Sequence, residues 1–261
     1  MPSTAKRSSE TGAPRRSQNV RRFQTQLFFL IIVLCASSGL AAASAVAASA
    51  PDHIGARQRL AEFRYAHQAY RYPRTNAQKV AAVPARTPIT GEHTTLPVIA
   101  HANGSGDRRW LKVMLPGRPN GLSGWIERGG TWERFTPWHI TVSLLARRVQ
   151  VYLRGRLLRS FSAVVGKPST PTPTGNFFVQ ETVILGTNLA GGPFALALSA
   201  RSNVLQEFEG GPGQIAIHGR DNLGGTLGTA ASHGCVRLAT ASIDWLSTRI
   251  VPGTPVTIEA G

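Results

Sequence analysis

The chain has 261 residues, a formal net charge of +16 at pH 7 and two cysteines. The basic excess suits three kinds of partner, which are nucleic acid, an anionic membrane surface and an anionic cell wall. No basic segment interleaved with aromatic residues supports nucleic acid, and the export signal described next disfavours it further. The length suits one large domain or two small ones.

Residues 1–50 have the features of an export signal. Six basic residues and one acid precede a wholly apolar run over 27–34, and small residues follow to position 50. This pattern predicts a secretory signal peptide with cleavage after Ala45-Val46-Ala47. An uncleaved anchor is the alternative, because 27–48 as a helix would be about 33 Å long, enough to cross a bilayer. We therefore expect a protein of the cell wall or periplasmic space, secreted or anchored in the membrane by its N-terminus.

Between the signal and position 130 the sequence predicts a linker and then a small β module. Residues 51–86 are polar and basic, and four apolar side chains at helical spacing predict a linker with a short amphipathic helix. These side chains are Leu60, Phe63, Ala66 and Tyr70. Residues 87–130 contain short β-prone runs separated by turns rich in glycine and proline. This segment resembles the bacterial SH3-like module, which often binds wall peptides, and we expect Trp110 and Trp125 in its core.

Residues 138–259 are predicted to form a mainly β domain with one short helix. Apolar alternation predicts strands that start near 140, 149, 157 and 176, with another over 214–217. Three prolines between 168 and 173 predict a stiff connection between strands. The glycine-rich segment 185–213 is a candidate lid. A helix is expected over 241–250, followed by a terminal strand over 254–259.

The candidate catalytic residues lie in two motifs, His218-Gly219 and Ser232-His233-Gly234-Cys235-Val236-Arg237. Cys35 falls in the signal segment, so an exported chain would carry Cys235 as its one cysteine, without an intrachain disulfide partner. Nucleophilic attack requires a thiolate, and a histidine within hydrogen-bond reach can supply the base. His218 ends a strand and Cys235 follows a glycine-bearing loop, so the two side chains can converge.

The residues around the thiol are candidates for supporting roles. Backbone N–H groups near Cys235 could form an oxyanion hole, and Gly234 would let the backbone approach closely. Ser232 could hold the loop or contact substrate. His233 could contact the substrate or the oxyanion, and Arg237 could bind a substrate carboxylate.

Several other interpretations of these residues stay open. Either Asp221 or the carbonyl of Gly219 could orient the His218 imidazole. Arg237 could serve as an ordinary salt-bridge residue. Zinc binding by the two histidines and Cys235 lacks the usual Cys-x-x-Cys or His-Glu-x-x-His spacing, so we expect no metal and no cofactor.

Together the two motifs resemble the L,D-transpeptidase catalytic domain of the YkuD family. The segment 166–178 is also similar to the proline-rich strand connection of that family, and the resemblance covers 138–259. It implies a β-sandwich with a lid over the cysteine, Cys235 as nucleophile and His218 as general base and acid. It further implies that the Gly219 carbonyl orients the imidazole and that His233 and Gly234 line the oxyanion region with Cys235. The family often has asparagine where this chain has arginine at position 237.

The resemblance implies a two-step reaction on peptidoglycan stem peptides, which act as donor and acceptor. The thiolate would attack a tetrapeptide stem, release the terminal D-alanine through a thioester, and pass the acyl group to a neighbouring stem in a 3→3 cross-link. Transfer to water would make an L,D-carboxypeptidase, and transfer to a protein amine would anchor wall proteins. The resemblance also implies acylation of Cys235 by carbapenems.

Three other classes of protein are weighed against this interpretation. A sortase would carry its cysteine after a Leu-x-Thr strand motif, with the histidine much farther upstream. NlpC-type wall peptidases have the cysteine before the histidine, which is the reverse of the order here. A non-catalytic peptidoglycan-binding protein that works through the SH3-like segment is the third. Anionic wall polymers are a further expected partner of the basic surface.

Overall fold

The computed structural model describes residues 54–186, 189–208 and 210–261. The export signal or anchor expected over 1–50 lies outside these ranges, so it stays a prediction. Within the described ranges, no helix has the length and apolar character needed to cross a membrane.

Residues 58–136 form one antiparallel sheet of seven strands, which we call the N-terminal module. Its strands are β1 (Gln58–Phe63), β2 (His67–Tyr70), β3 (Lys79–Val83), β4 (Thr95–Asn103), β5 (Arg109–Met114), β6 (Ser123–Glu127) and β7 (Thr131–Thr136). They lie in the order β3-β2-β6-β5-β4-β1-β7.

The linker and short helix expected over 51–86 are wrong, because this segment contains β1, β2 and β3. β1 lies between β4 and β7, and its adjacent residues Leu60 and Ala61, which point to opposite faces, are both buried. Leu60 is 2% exposed and Phe63 is fully buried, although residues three apart on a strand point to opposite faces. Because buried residues lie on both faces of β1, the apolar spacing of Leu60 and Phe63 matched that of a helix.

The module extends beyond the segment 87–130 that was expected to be SH3-like. β4, β5 and β6 lie in that segment, but β4 pairs with β1 and β6 pairs with β2, and both of these strands precede it. The SH3-like identity stays a prediction. Trp110 is a core residue as expected, 1% exposed, with its ring edge-on to Tyr70 at 5.9 Å, whereas Trp125 is half-buried.

The C-terminal domain, residues 138–259, is built around an eight-stranded sheet in the order β10-β9-β8-β17-β12-β13-β14-β16. Its elements are β8 (Trp138–Ser143), β9 (Arg148–Leu153), β10 (Arg156–Ser162), β11 (Val165–Gly166), β12 (Gly175–Ile184), β13 (Phe194–Arg201), β14 (Gln214–His218), β15 (Ala230–Ser232), β16 (Val236–Arg237), α1 (Thr240–Ser247) and β17 (Pro255–Glu259). β11 pairs separately with β15. The mainly β fold and the short helix after Cys235 are confirmed.

The glycine-rich segment 185–213 is not a single lid, because β13 runs through its middle. Every residue of β13 is buried, and the strand pairs with β12 on one side and β14 on the other. A central strand covered on both faces shows no alternation of apolar and polar residues, so the sequence pattern gave no clear period. Residues 202–213, which connect β13 to β14, remain as the loop beside the candidate site.

The N-terminal module and the C-terminal domain share part of their interior. Phe178, on β12 of the C-terminal domain, is fully buried in the hydrophobic core of the module. Glu181, on the same strand, is also fully buried. Its Oε2 accepts hydrogen bonds from the backbone N–H groups of Ile89 and Thr90 in the module at 3.0 and 2.8 Å. The connection between the two sheets is therefore made by buried side chains and not by the linking chain alone.

Candidate active site

Two neighbouring parallel strands bring His218 and Cys235 to one side of the sheet. β14 ends at His218, β16 begins directly after Cys235, and Ile217 pairs with Val236. Cys235 consequently lies beside Ala216, whose N–H approaches its Sγ at 3.4 Å. Side chains two apart on a strand share a face. The sulfur and the imidazole accordingly line the same cavity, of about 670 Å³.

The imidazole of His218 is oriented by backbone groups. Its Nδ1 lies 2.6 Å from the carbonyl oxygen of Gly219, and the ring also hydrogen-bonds the backbone of Gly191. A carbonyl oxygen only accepts, so Nδ1 carries the proton and Nε2 keeps its lone pair. Asp221, the alternative orienting group, instead accepts the hydroxyl of Thr240 at 2.6 Å.

The pKa of His218 is lowered from its ordinary value. Burial is the main cause, since it disfavours the charged ring, and the positive charge of Arg237 acts in the same direction. The hydrogen bonds to Gly219 and Gly191 oppose this shift in part. The ring is therefore neutral at neutral pH, with Nε2 able to accept a proton.

Gly191 makes room for the His218 ring, and sequence reasoning did not assign this residue. A Cβ atom at Gly191 would lie 2.7 Å from the Nδ1 of His218. A Cβ atom at Gly219 would overlap the carbonyl oxygen of Gly192. Gly191 thus lies against the imidazole and Gly192 lies against Gly219, and the only signal of this pair in the sequence was its place in a glycine-rich segment.

The turn that precedes the thiol is fastened by Ser232. This residue is fully buried, and its Oγ accepts the N–H of Gly234 at 3.1 Å and donates to the carbonyl of Cys235 at 2.6 Å. Gly234 has φ 121°, a conformation that only glycine adopts without strain. The hydroxyl of Ser232 is used inside the turn, so this residue supports the loop and does not reach the cavity as a substrate contact.

The proline-rich connection braces the same turn from behind, a role that sequence reasoning did not find. Thr172 donates its Oγ1 hydroxyl to the carbonyl of Gly234 at 2.8 Å and accepts the N–H of Gly166 at 2.9 Å. Thr170 donates to the carbonyl of Ser232 at 3.3 Å. No local pattern predicted these contacts, because the partners are 62 residues apart in the chain.

His233 is exposed and lines the cavity on the side of the 202–213 loop. Its Nε2 lies 3.4 Å from the Nζ of Lys167, and its ring stacks on Phe208 with centroids 5.9 Å apart. Among the residues that the structure describes, no three His, Cys, Asp or Glu side chains are grouped to hold a metal ion.

Arg237 lies beside His218 in the pairing of β16 with β14. Its guanidinium donates to the carbonyl of Gly224 at 2.7 Å, and the side chain lines the cavity. The Nε atom is buried and has no hydrogen-bond partner in the structure. A buried donor without a partner is costly, and a ligand oxygen in the cavity is one group that could satisfy the guanidinium.

Comparison with known proteins identifies the C-terminal domain. Residues 137–258 match the family model of the YkuD L,D-transpeptidase catalytic domain. YkuD of Bacillus subtilis (strain 168) is 33% identical over 126 residues, which is 47% of this chain and 66% of that protein. L,D-transpeptidase 1 of Mycobacterium tuberculosis is 28% identical over 124 residues, 44% of this chain and 48% of that protein. The matches thus leave a third to a half of each relative's length uncovered.

Two of the solved structures that resemble this chain are L,D-transpeptidases of mycobacteria. An L,D-transpeptidase from Mycobacterium smegmatis is 17% identical, covers 63% of this chain and 99% of its own, and has a TM-score of 0.37. L,D-transpeptidase 3 from Mycobacterium tuberculosis is 13% identical, covers 58% and 91%, and has a TM-score of 0.39. The assignment rests on the sequence matches: residues 137–258 of this chain are a catalytic domain of the YkuD family of L,D-transpeptidases.

Proposed function

We propose that this chain, with its YkuD-type catalytic domain, is a cysteine-dependent L,D-transpeptidase that acts on peptidoglycan tetrapeptide stems. The observation that carries the proposal is the hydrogen bond from Nδ1 of His218 to the carbonyl of Gly219. It leaves Nε2 as the base, in the same cavity that Cys235 lines. A neutral histidine beside a thiol is the arrangement that cysteine nucleophiles need.

In the first step His218 accepts the proton of Cys235, and the thiolate attacks the carbonyl carbon between the third residue of the stem and its terminal D-alanine. The tetrahedral oxyanion is held by backbone N–H groups of the turn, for which His233 and Cys235 are the candidates. The N–H of Gly234 already donates to Ser232, so it supports the turn. His218 then protonates the amine of D-alanine, which leaves, and a thioester remains on Cys235.

In the second step an acceptor amine from a neighbouring stem attacks the thioester, and His218 takes the proton that the amine loses. The amide bond forms, the carbon–sulfur bond breaks, and the thiol is regenerated. A stem amine as acceptor gives a 3→3 cross-link. Water as acceptor gives a carboxypeptidase, and a protein amine gives wall anchoring by the same site. A carbapenem would acylate the same sulfur.

Arg237 is the candidate for contact with a carboxylate of the stem. Its buried Nε without a partner and its position on the cavity wall support this role. A guanidinium can hold a carboxylate through two parallel hydrogen bonds.

The proposed partners include anionic wall polymers as well as stem peptides. Five arginines lie on or next to the β9–β10 hairpin. They are Arg147, Arg148, Arg154, Arg156 and Arg159. The ion pairs found among the described residues all lie within the N-terminal module, so this hairpin contributes positive charge that no neighbouring carboxylate neutralises. The substrate lies outside the cytoplasm, which agrees with the export signal expected over 1–50.

The test is to incubate the protein and its Cys235→Ala variant with purified disaccharide-tetrapeptide and to identify the products by mass spectrometry. A cross-linked dimer with loss of D-alanine, absent with the variant, is the expected result. Tripeptide alone would make the protein a carboxypeptidase. No product from either form, together with retained binding to wall sacculi, would favour the non-catalytic binding protein instead.

A further inference from the structure

One wall of the active-site cavity is formed by the loop 202–213, between β13 and β14. Ser202, Leu205, Phe208 and Gly213 of this loop line the cavity together with Cys235. The stacking of Phe208 on His233 joins the tip of the loop to the turn of the thiol. The position of this loop therefore decides the width of the space in which a substrate can bind.

The base of the loop is held by an arginine of the N-terminal module. Arg118 lies in the connection between β5 and β6, and its guanidinium donates to carbonyl oxygens at both ends of the loop. Its Nη2 reaches Ser202 at 2.9 Å and Leu205 at 3.1 Å, and its Nη1 reaches Pro212 at 2.9 Å. The planar guanidinium, with donors on two nitrogens, thus joins the two ends of the loop, which a lysine ammonium could not do in the same geometry.

Asn120, in the same connection, holds the residue from which the loop starts. Its Oδ1 accepts the N–H of Arg201, and its Nδ2 donates to the Arg201 carbonyl, both at 2.8 Å. The Nδ2 also lies 3.2 Å from the Oδ1 of Asn203. The amide side chain therefore pairs with Arg201 as a neighbouring strand would, and it fixes the point where the chain leaves β13.

The loop is shaped to admit the arginine. A Cβ atom at Gly213, where φ is +62°, would overlap the carbonyl oxygen of Leu205 and would lie 3.2 Å from the Nη2 of Arg118. The N–H of Ser202 also donates to the carbonyl of Gly213 at 2.8 Å, which closes the base. A loop closed at its base and bound by one external guanidinium has few ways to move without losing several hydrogen bonds at once.

We propose that Arg118 and Asn120 are positioning residues for the reaction, and that the N-terminal module thereby completes the active site of the C-terminal domain. The inference rests on the proposed function for its kinetic consequence, but the contacts themselves do not depend on it. Neither residue touches the reacting atoms. They act through the loop 202–213, which they hold in the position that forms the cavity wall.

The kinetic consequence is an effect on substrate binding. If loss of Arg118 lets the loop leave its position for most of the time, the apparent dissociation constant is the intrinsic one divided by the fraction of molecules that remain competent. We expect Arg118→Ala to raise KM for the tetrapeptide donor roughly tenfold. At saturating substrate, kcat should stay within about twofold of the wild-type value. Asn120→Ala should act in the same direction, and Arg118→Lys should fall between, since lysine keeps the charge but lacks the fork.

The matched control is Arg128→Ala. Arg128 is an arginine of the same module that pairs with Glu133 and has no contact with the loop. We expect wild-type KM and kcat from it. Each variant is also subjected to limited proteolysis and amide hydrogen exchange. Compared with the wild type, Arg118→Ala should show faster cleavage and exchange within 202–213, and Arg128→Ala should show no change.

The outcomes separate the positioning role from the alternatives. A lower kcat with unchanged KM and a lower melting temperature would mean that Arg118 only stabilises the fold, and would overturn the proposal. Unchanged KM together with unchanged loop protection would overturn it as well. If the wild-type protein itself does not turn over the tetrapeptide, the proposed function has failed, and the hydrogen-exchange comparison alone decides whether the module holds the loop.

Discussion

The hydroxyl of Thr172 donates to the carbonyl oxygen of Gly234 at 2.8 Å, directly before the thiol in the chain. The Oγ1 atom of Thr172 also accepts the N–H of Gly166 at 2.9 Å. One buried side chain therefore links the start of the proline-rich connection to the turn that carries Cys235. The prolines stiffen this connection, and the hydroxyl of Thr172 joins it to the turn that carries Cys235.

We expect Thr172→Val to destabilise the protein by about 1–3 kcal/mol, because it leaves two buried backbone groups without a partner. We also expect a lower kcat, since the turn that positions the thiol loses its brace. Thr172→Ser keeps the hydroxyl and should retain both properties. Urea unfolding and steady-state kinetics measure the two effects. Wild-type behaviour of the valine variant would show that the hydroxyl does not hold the turn.

His218→Gln removes the proposed base while keeping a side chain of similar size. We expect kcat/KM to fall by about 10²–10⁴, and the alkylation of Cys235 by iodoacetamide at pH 7 to slow, because the imidazole no longer takes the thiol proton. The comparison variant is His101→Gln, at an exposed position on β4. Equal alkylation rates in the wild type and the His218 variant would argue against a thiol–imidazole pair.

Arg237→Gln should move the acid limb of the pH profile of kcat/KM to higher pH. The charge of Arg237 lowers the pKa of His218, so its removal raises that pKa, and the base becomes protonated at a higher pH than before. Arg237→Lys keeps the charge and should leave the limb in place even if KM rises. An acid limb that does not move in the glutamine variant would mean that Arg237 does not act on His218.

His139→Gln should reduce the pH dependence of stability. Burial lowers the pKa of His139 to about 4, whereas in the unfolded chain the histidine titrates near 6.5. Between these values the unfolded state binds more protons, so the wild type loses stability as the pH falls from 6.5 to 4, by about 2–3 kcal/mol from this residue. Urea unfolding at pH 7 and pH 4.5 should show a smaller difference for the variant than for the wild type. An equal difference would assign the loss to other groups.

The sequence predicted those parts of the protein in which apolar and polar residues alternate with a regular period. β8, β9, β14 and β17 alternate between apolar and polar residues, and α1 follows a helical period. The convergence of His218 and Cys235 on one cavity was predictable because His218 ends a strand with a clear pattern and Cys235 follows a glycine-bearing loop. The parts that were missed have no such signal: β1 and β13 are covered on both faces, so their patterns lost the period that identifies a strand.

The supporting residues of the site were missed for a different reason. Thr172 and Arg118 contact backbone carbonyls far away in the chain, and Gly191 lies against the ring of His218. A threonine, a glycine or an arginine is common in any loop, and only the three-dimensional structure shows which carbonyl or ring it meets. Such residues position the side chains of a site but produce no recognisable pattern in the local sequence.

The burial of Phe178 limits how far this protein can be shortened from its N-terminus. The family match begins at residue 137, yet Phe178 and Glu181 are buried only because the preceding strands cover them. A fragment that starts at the family boundary would expose the aromatic ring of Phe178 to water, with a cost in solubility, and would remove the two backbone N–H donors of Glu181. The smallest self-sufficient piece of the chain therefore has to include β1, and exchange of the N-terminal module between related enzymes would need compensating changes on β12.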